Sequence, residues 1–389
     1  MEKNFEMLAK TFYGMESLLA DELLSLGAQD IKKGNRLVHF KGDKGFMYKA
    51  NLCLRTALKI LKPFYHFKAK NEHELYEKIY NFDWNELLSP NETFLIDSVV
   101  SGQIFTHSLY ASQRTKDAIV DRIRKQTGDR PNVDTRHPDF RIHLHIYENE
   151  CSISLDSSGS SLHHRGYRSA TNIAPMNEVL AACLVQLSGW DRQTDFIDPM
   201  CGSGTILIEA AMLACDIPAN LNRNEFAFEK WSDWDASLFD KIRQSQLKKV
   251  KPPVGKIYGF DKAPSAVEKA IQNVKNASLE DFIHVNRANF FHSSKIGETP
   301  LHLLTNPPYG ERLEGDIDGL YQEFGDTLKR NYPNTNAWMI SSNFEAMKFV
   351  GLRPTRKIKL FNGKLESRLC LFPIYAGTKK IHKLKKDEN

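Results

Sequence analysis

Asp198-Pro-Met-Cys-Gly-Ser-Gly-Thr205 is where residue type and spacing first suggest chemistry. It lies between a strand-like run, Thr194 to Ile197, and a helix-like run, Ile206 to Cys215. Gly202 and Gly204 carry no Cβ, so the backbone can turn sharply and aim N–H groups, with a helix N-terminus behind them, at a polar ligand. What is missing narrows that ligand. A phosphate-gripping P-loop needs Lys before its Ser or Thr, and the residue before Thr205 is Gly204. The dinucleotide spacing G-x-G-x-x-G fails at Leu207, and the loop opens on an acid, Asp198. An acid disfavours pyrophosphate and suits a cation such as the ammonium of an amino acid. S-adenosylmethionine carries such an ammonium and a sulfonium as well.

A second stretch, Asn306-Pro-Pro-Tyr309, follows the apolar run Leu301 to Leu304. Two prolines fix the backbone and remove two N–H donors. That leaves Asn306 Oδ1 and a carbonyl of Pro307 or Pro308 as a rigid pair of acceptors, suited to an exocyclic amine. Tyr309 adds a π-face for a base, and such stacking contributes about 1–3 kcal/mol. An isolated Asn-Pro-Pro would read as a proline turn closing a strand. Downstream of the glycine loop it reads as the second half of a site.

Together these stretches resemble the amino-methyltransferases of the class I S-adenosylmethionine-dependent group. The longer match, which adds Gly310-Glu-Arg-Leu313 after the tyrosine, is similar to the THUMP-domain RNA guanine-N2 methyltransferases of the bacterial large-subunit (23S) rRNA type. Members of that family often carry the label N6-adenine DNA methylase, and the resemblance extends over nearly the whole chain. It implies an α/β fold, a Rossmann-like class I methyltransferase domain preceded by an α+β ferredoxin-like and THUMP module. It also implies S-adenosyl-L-methionine as cofactor and structured RNA, of the large ribosomal subunit, as partner. On that resemblance Asn306, Pro307, Pro308 and Tyr309 carry catalysis. The cofactor falls to Asp198, Cys201, Gly202, Gly204, Thr205, Asp261, Asn289 and Asn306, with Pro175 and Glu178 over its methionine end. Asn177 is equally a helix cap. For Cys201, a small packing residue is expected rather than a nucleophile.

The elements that must position these residues divide into four stretches. Residues 1–66 read as β-α-β-β-α-β, a ferredoxin-like order. Residues 67–165 are the expected THUMP unit, with a long helix from His107 to Thr127 carrying Arg114, Lys116, Arg122, Arg124 and Lys125. That basic face is either solvated or meets RNA, and the resemblance favours RNA. Residues 166–377 form the methyltransferase domain, and 378–389 a basic tail. Between the second and third units, His163-His-Arg-Gly-Tyr-Arg168 could hold phosphates and stack a base, or simply join domains. His163 and His164 have no third ligand, so no metal is expected.

Asp261 ends the strand Ile257 to Phe260, where an acid can accept both ribose hydroxyls of adenosine. An insertion, Asp216 to Gly255, separates it from the glycine loop. Trp231, Trp234 and Lys248-Lys-Val-Lys251 in that insertion read either as an RNA surface or as a packed flap. Asn289 stands where relatives usually have Asp, and its amide oxygen can still accept from the adenine amine; Phe290 can line the same pocket. The last strands alternate as a hairpin around Asn362-Gly363.

Composition excludes some classes and permits others. With 389 residues the chain can build two or three cores. No run approaches the ~18 apolar residues of a membrane span, and Met-Glu-Lys-Asn is no secretory start. A cytoplasmic protein with no membrane partner is expected, its oligomeric state open. Cys53, Cys151, Cys183, Cys201, Cys215 and Cys370 form no Cys-x-x-Cys pair, so zinc and redox centres are not indicated. A net charge of +5 permits a nucleic-acid partner without demanding one.

Overall fold

Period-two burial builds the amino-terminal sheet. In β1 (Phe5–Lys10), Met7 and Ala9 are fully buried, and α1 (Glu16–Leu26) sets Leu19 and Leu23 into the same core. Gly27 ends that helix in the left-handed region, at φ 102°. β2 (Gln29–Lys33) and β3 (Leu37–Gly42) pair next, and Asp43 caps α2 (Lys44–Cys53) by accepting from the Phe46 N–H. β4 (Lys59–Lys68) then returns beside β1, completing the ferredoxin-like order. The computed structural model describes residues 3–169, 175–295, 297, 299–308 and 316–377; Tyr309 and the tail lie outside them.

The second unit contributes α3 (Glu72–Tyr80), β5 (Thr93–Ser101), α4 (Ser108–Thr127), β6 (Asn132–Val133), β7 (Phe140–Tyr147) and β8 (Glu150–Asp156). β8 pairs antiparallel with β4, so both units share one eight-stranded sheet, β2-β3-β1-β4-β8-β7-β5-β6. β4 therefore runs through residues 66 and 67. At that junction Lys59 holds Asp156 at 2.7 Å and Asp97 at 3.3 Å. The basic face of α4 is partly engaged within the protein. Arg114 lies over the Tyr76 ring at 4.5 Å, Arg122 and Lys125 over Tyr80 at 5.8 and 5.7 Å, and Arg124 pairs with Asp121 at 2.7 Å.

The remaining elements are α5 (Glu178–Leu187), β9 (Asp195–Asp198), α6 (Thr205–Ala214), α7 (Ala236–Leu247), β10 (Ile257–Asp261), α8 (Pro264–Asn276), β11 (Ile283–Arg287), β12 (Leu301–Thr305), α9 (Ile317–Asn331), β13 (Thr335–Ser341), α10 (Ala346–Phe349), β14 (Arg356–Asn362) and β15 (Leu365–Ile374). They form a seven-stranded sheet, β11-β10-β9-β12-β13-β15-β14, in which β15 runs antiparallel to both neighbours and the first five strands are parallel. This is the class I methyltransferase version of the doubly wound fold. β9 and β12 leave their helices on opposite faces, so a crevice opens at their carboxyl ends.

Two connections tie the halves together. The aromatic part of the insertion is a packed strap: Phe226, Phe228 and Trp231 join the amino-terminal core, and Phe228 stacks on Tyr48 with ring centroids 4.5 Å apart, while Lys248, Lys249 and Lys251 stay exposed. The linker 163–168 is the other. Arg165, 1% exposed, gives hydrogen bonds to the carbonyls of Leu162 (2.9 Å) and Arg55 (2.6 Å) and to Asn220 Oδ1 (3.0 Å). It also meets Glu209 at 3.4 Å, and the Tyr167 hydroxyl donates to the same carboxylate at 3.1 Å. Arg165 and Tyr167 thus join domains; they are turned inward, away from any phosphate or base. Met15, from the first unit, is itself buried in the catalytic core.

Candidate active site

The glycine loop is set by its backbone. Gly202 and Gly204 have φ of 55° and 79°, in the left-handed region where a Cβ is strained. A Cβ on Gly204 would also stand 3.3 Å from that of Ala270, so the residue lets α8 approach the N-terminus of α6. The Cys201 N–H donates to the Phe260 carbonyl at 2.8 Å, and the Gly202 N–H to Asp261 Oδ2 at 3.0 Å. These two bonds fasten the loop to the end of β10. Asp261 Oδ1 accepts from the Ala263 N–H at 2.9 Å. The carboxylate is thus held rigid at the cleft, with lone pairs remaining on both oxygens.

Asp198, 2% exposed, accepts from the Thr305 hydroxyl at 2.7 Å and from the Met200 N–H at 3.2 Å. Burial pushes its carboxyl up to about 7, opposed by those two hydrogen bonds and reinforced by the nearby Asp261. An acid in that position holds its charge weakly until a cation arrives. Burial raises the Cys201 thiol well above its ordinary value, with Asp198 and Asp261 adding to the effect. A thiol so placed is a packing group rather than a nucleophile.

One cleft of about 470 Å³ gathers most of the residues singled out in the sequence. Pro175, Asp198, Cys201, Gly202, Thr205, Asp261, Asn289, Asn306, Pro307 and Pro308 all line it. Gly204 and Glu178 stand behind its wall, Gly204 capping α6 and Glu178 pairing with Arg168 at 2.6 Å. Asn289 Oδ1 accepts from the Phe291 N–H at 3.2 Å, which leaves its amide nitrogen and one lone pair for a base. Phe290 and Phe291 provide an apolar wall beside it. Among the described residues, Asn306 Oδ1 is buried with no hydrogen-bond partner. A buried acceptor without a donor is costly in a folded protein and marks a place where a ligand donor fits.

The arrangement fits an adenosyl amino acid. A fixed carboxylate at the end of β10 suits a ribose diol, phenylalanines suit a purine, and a buried acid beside the glycine loop suits an ammonium. Thr305 was missed in the sequence, although it adjoins Asn306 and its hydroxyl orients Asp198. Arg168, in the stretch that reads either as a phosphate holder or as a domain joint, reaches Thr205 Oγ1 at 2.9 Å and the Met176 carbonyl at 3.0 Å, both on the cleft wall. Among the described residues no group of His, Cys, Asp and Glu could hold a metal ion, and no helix is long and apolar enough to cross a membrane.

Comparison with known proteins matches three family models in chain order. They are the RlmL ferredoxin-like domain over residues 6–61, the THUMP domain over 69–156, and the RMKL-like methyltransferase domain over 165–370. The ribosomal RNA large subunit methyltransferase K/L of Methylococcus capsulatus is 38% identical over 371 residues, 93% of this chain and 50% of that one. The chain thus spans about half the length of the K/L relatives it matches. The Synechocystis protein slr0064, described as a candidate RNA methyltransferase, is 34% identical over 365 residues, 93% of this chain and 95% of that one. Among solved structures, SMU.472 complexed with SAH superposes with a TM-score of 0.85 at 30% identity, covering 97% of this chain and 100% of that one. With the methyltransferase model matching more than half of its residues behind both accessory modules, the chain belongs to the RMKL-like methyltransferase family.

Proposed function

We propose that this protein transfers a methyl group from S-adenosyl-L-methionine to the exocyclic amine of a guanine in large-subunit ribosomal RNA. The observation that carries the reading is the buried Asn306 Oδ1 at the cleft, beside two prolines and without a partner among the described residues. The THUMP match and the K/L relatives support RNA as the substrate class, and SMU.472 with its bound SAH supports the cofactor.

The guanine amine is a poor nucleophile because its lone pair is delocalised into the ring. Asn306 Oδ1 accepts one amine proton and a Pro307 or Pro308 carbonyl the other, which draws the lone pair out of conjugation and aims it across the cleft. Alignment and electrostatics then carry the rate. Bound S-adenosylmethionine supplies the electrophilic methyl on its sulfonium. Asp261 holds the ribose hydroxyls, Asp198 faces the ammonium, and Phe290 with Asn289 hold the adenine. The methylated nitrogen sheds a proton to solvent, so no general base is needed before transfer. Tyr309, outside the described residues, is assigned the face of the flipped base.

Asn306→Ala tests this reading. It is expected to keep cofactor affinity within about twofold and to cut turnover about 100-fold, as loss of one aimed hydrogen-bonding group does elsewhere. Calorimetry with S-adenosylhomocysteine and single-turnover methylation of ribosomal RNA read the two effects separately. Turnover near that of the wild type would overturn the assigned role.

A further inference from the structure

Charge is spread unevenly along the chain. Residues 346–377 hold seven lysines and arginines against one acid, Glu366, a local net charge of +6 where the whole chain carries +5. Glu366 is spent on Lys359 at 2.7 Å, and Glu345 holds Lys348. Among the described residues, the side chains of Arg353, Lys357 and Arg368 form neither a salt bridge nor a hydrogen bond. These three line one groove of about 330 Å³ between α10 and the β14–β15 hairpin, and no described acid lines it with them. Met347, Leu352 and Phe372 give the groove an apolar floor, and Arg368 sits over the Phe344 ring, 4.1 Å from its centre.

A cationic rim over an apolar floor suits a polyanion that also has flat apolar faces to cover. An unpaired nucleic-acid strand is such a ligand: its phosphates meet lysine and arginine, and its bases lie on apolar surface and on guanidinium planes. A duplex keeps its bases stacked inside and would leave the floor bare. An acidic peptide answers the charge equally well, and position decides between them. β13 pairs with β12 at Met339 and Thr305, and with β15 at Ser341 and Arg368. Arg368 therefore stands at the carboxyl end of the parallel strands, two strand spacings, roughly 10 Å, from the end of β12 that carries Asn306. A base drawn to Asn306 brings its neighbours to this edge. The basic face of α4, by contrast, is partly spent on Tyr76, Tyr80 and Asp121.

We propose that this groove binds an unpaired stretch of the substrate RNA flanking the modified nucleotide, with phosphates on Arg353, Lys357 and Arg368 and a base against the apolar floor. The proposal rests on the RNA reading above and adds where the strand lies on the catalytic domain.

The test removes the two exposed cations, Arg353 and Lys357, and leaves Arg368 on its ring. Using the full chain and an in vitro transcribed large-subunit rRNA fragment, the double variant Arg353→Gln/Lys357→Gln is expected to lower the slope of log K against log salt by roughly 1.4, two single-strand contacts at roughly 0.7 each. Carried from ~1 M down to ~0.1 M salt, that slope amounts to about a 25-fold loss of affinity. Affinity for S-adenosylhomocysteine is expected to stay at the wild-type value. A second double variant, Lys241→Gln/Arg243→Gln, removes the same charge from exposed positions on α7 and is expected to bind RNA as the wild type does. Normal RNA binding by the wild type, with the groove variant unchanged in affinity and slope, would overturn the groove site alone. Equal losses in the two double variants would make the effect one of net charge and overturn it too. Failure of the wild type to bind ribosomal RNA would overturn the RNA reading and this site with it. If the groove variant keeps its RNA affinity but loses binding to a poly-glutamate peptide that the wild type retains, the groove takes an acidic protein segment and the proposal fails.

Discussion

Replacing Asp198 by Asn probes the charge logic of the cleft, because the two side chains have one shape and only the acid titrates. Burial raises the Asp198 carboxyl from 3.8 to about 7. That difference of about three units, at about 1.4 kcal/mol each, sets an upper bound of about 4 kcal/mol on the cost of ionising it in the ligand-free fold. The folded state holds this proton more tightly than the unfolded chain does. The stabilising contribution is therefore complete below about pH 4 and is lost as pH rises through about 7. The amide introduced by Asp198→Asn keeps an acceptor for the Thr305 hydroxyl and the Met200 N–H without that loss. The stability advantage of Asp198→Asn over the wild type is thus expected to grow between about pH 4 and pH 7 and level off above, read by thermal melts of ligand-free protein. Cofactor binding follows the opposite logic, because the ammonium needs the ionised acid. Wild-type affinity for S-adenosylhomocysteine is expected to fall toward tenfold per pH unit below about 7 and to fall again only at alkaline pH, once the ligand's amino group loses its proton. Asp198→Asn binds weakly and lacks the acidic limb. Calorimetry across this range decides: a wild-type affinity that is flat below about pH 7, or an acidic limb that survives in the variant, refutes the pairing of Asp198 with the ammonium.

Two further substitutions test the scaffold around it. Asp261→Ala removes the acceptor for Gly202 and Ala263 as well as the proposed ribose ligand; with hydrogen bonds to a charged group contributing roughly 1.5–3 kcal/mol, cofactor affinity is expected to fall about 10- to 100-fold in calorimetry. Arg165→Ala strips the buried Glu209 of its contacting cation and leaves it only the more distant Arg55, and is expected to destabilise the fold by about 3–5 kcal/mol in denaturant unfolding, while deletion of residues 1–165, which takes away both arginines and Met15, yields a catalytic piece that does not unfold cooperatively.

What was legible in the sequence is what is local. The strand, glycine turn and helix around Asp198 are written in consecutive residues, and the apolar run before Asn306 delivers its motif to the adjacent strand end. The Asn362-Gly363 turn likewise announces the closing hairpin, with Gly363 at φ 63°. Less was legible where meaning depends on distant partners. Arg165 and Tyr167 read equally as RNA ligands or as a domain joint until Glu209, more than a full helix away, turns them inward. The tryptophans of the strap have no local pattern to say that they cross to the amino-terminal core. The pairing of β4 with β8 joins residues about ninety apart, which no period-two pattern can specify.

The central claim, methyl transfer to a guanine amine in ribosomal RNA, is tested most directly by identifying the product. Ribosomal RNA from a strain lacking this gene is incubated with the wild-type protein and methyl-labelled S-adenosylmethionine, then digested to nucleosides and resolved by mass spectrometry. The account predicts label in N2-methylguanosine from large-subunit RNA, and none with Asn306→Ala on the same time scale. Label in N6-methyladenine from DNA, with the RNA unlabelled, would contradict it.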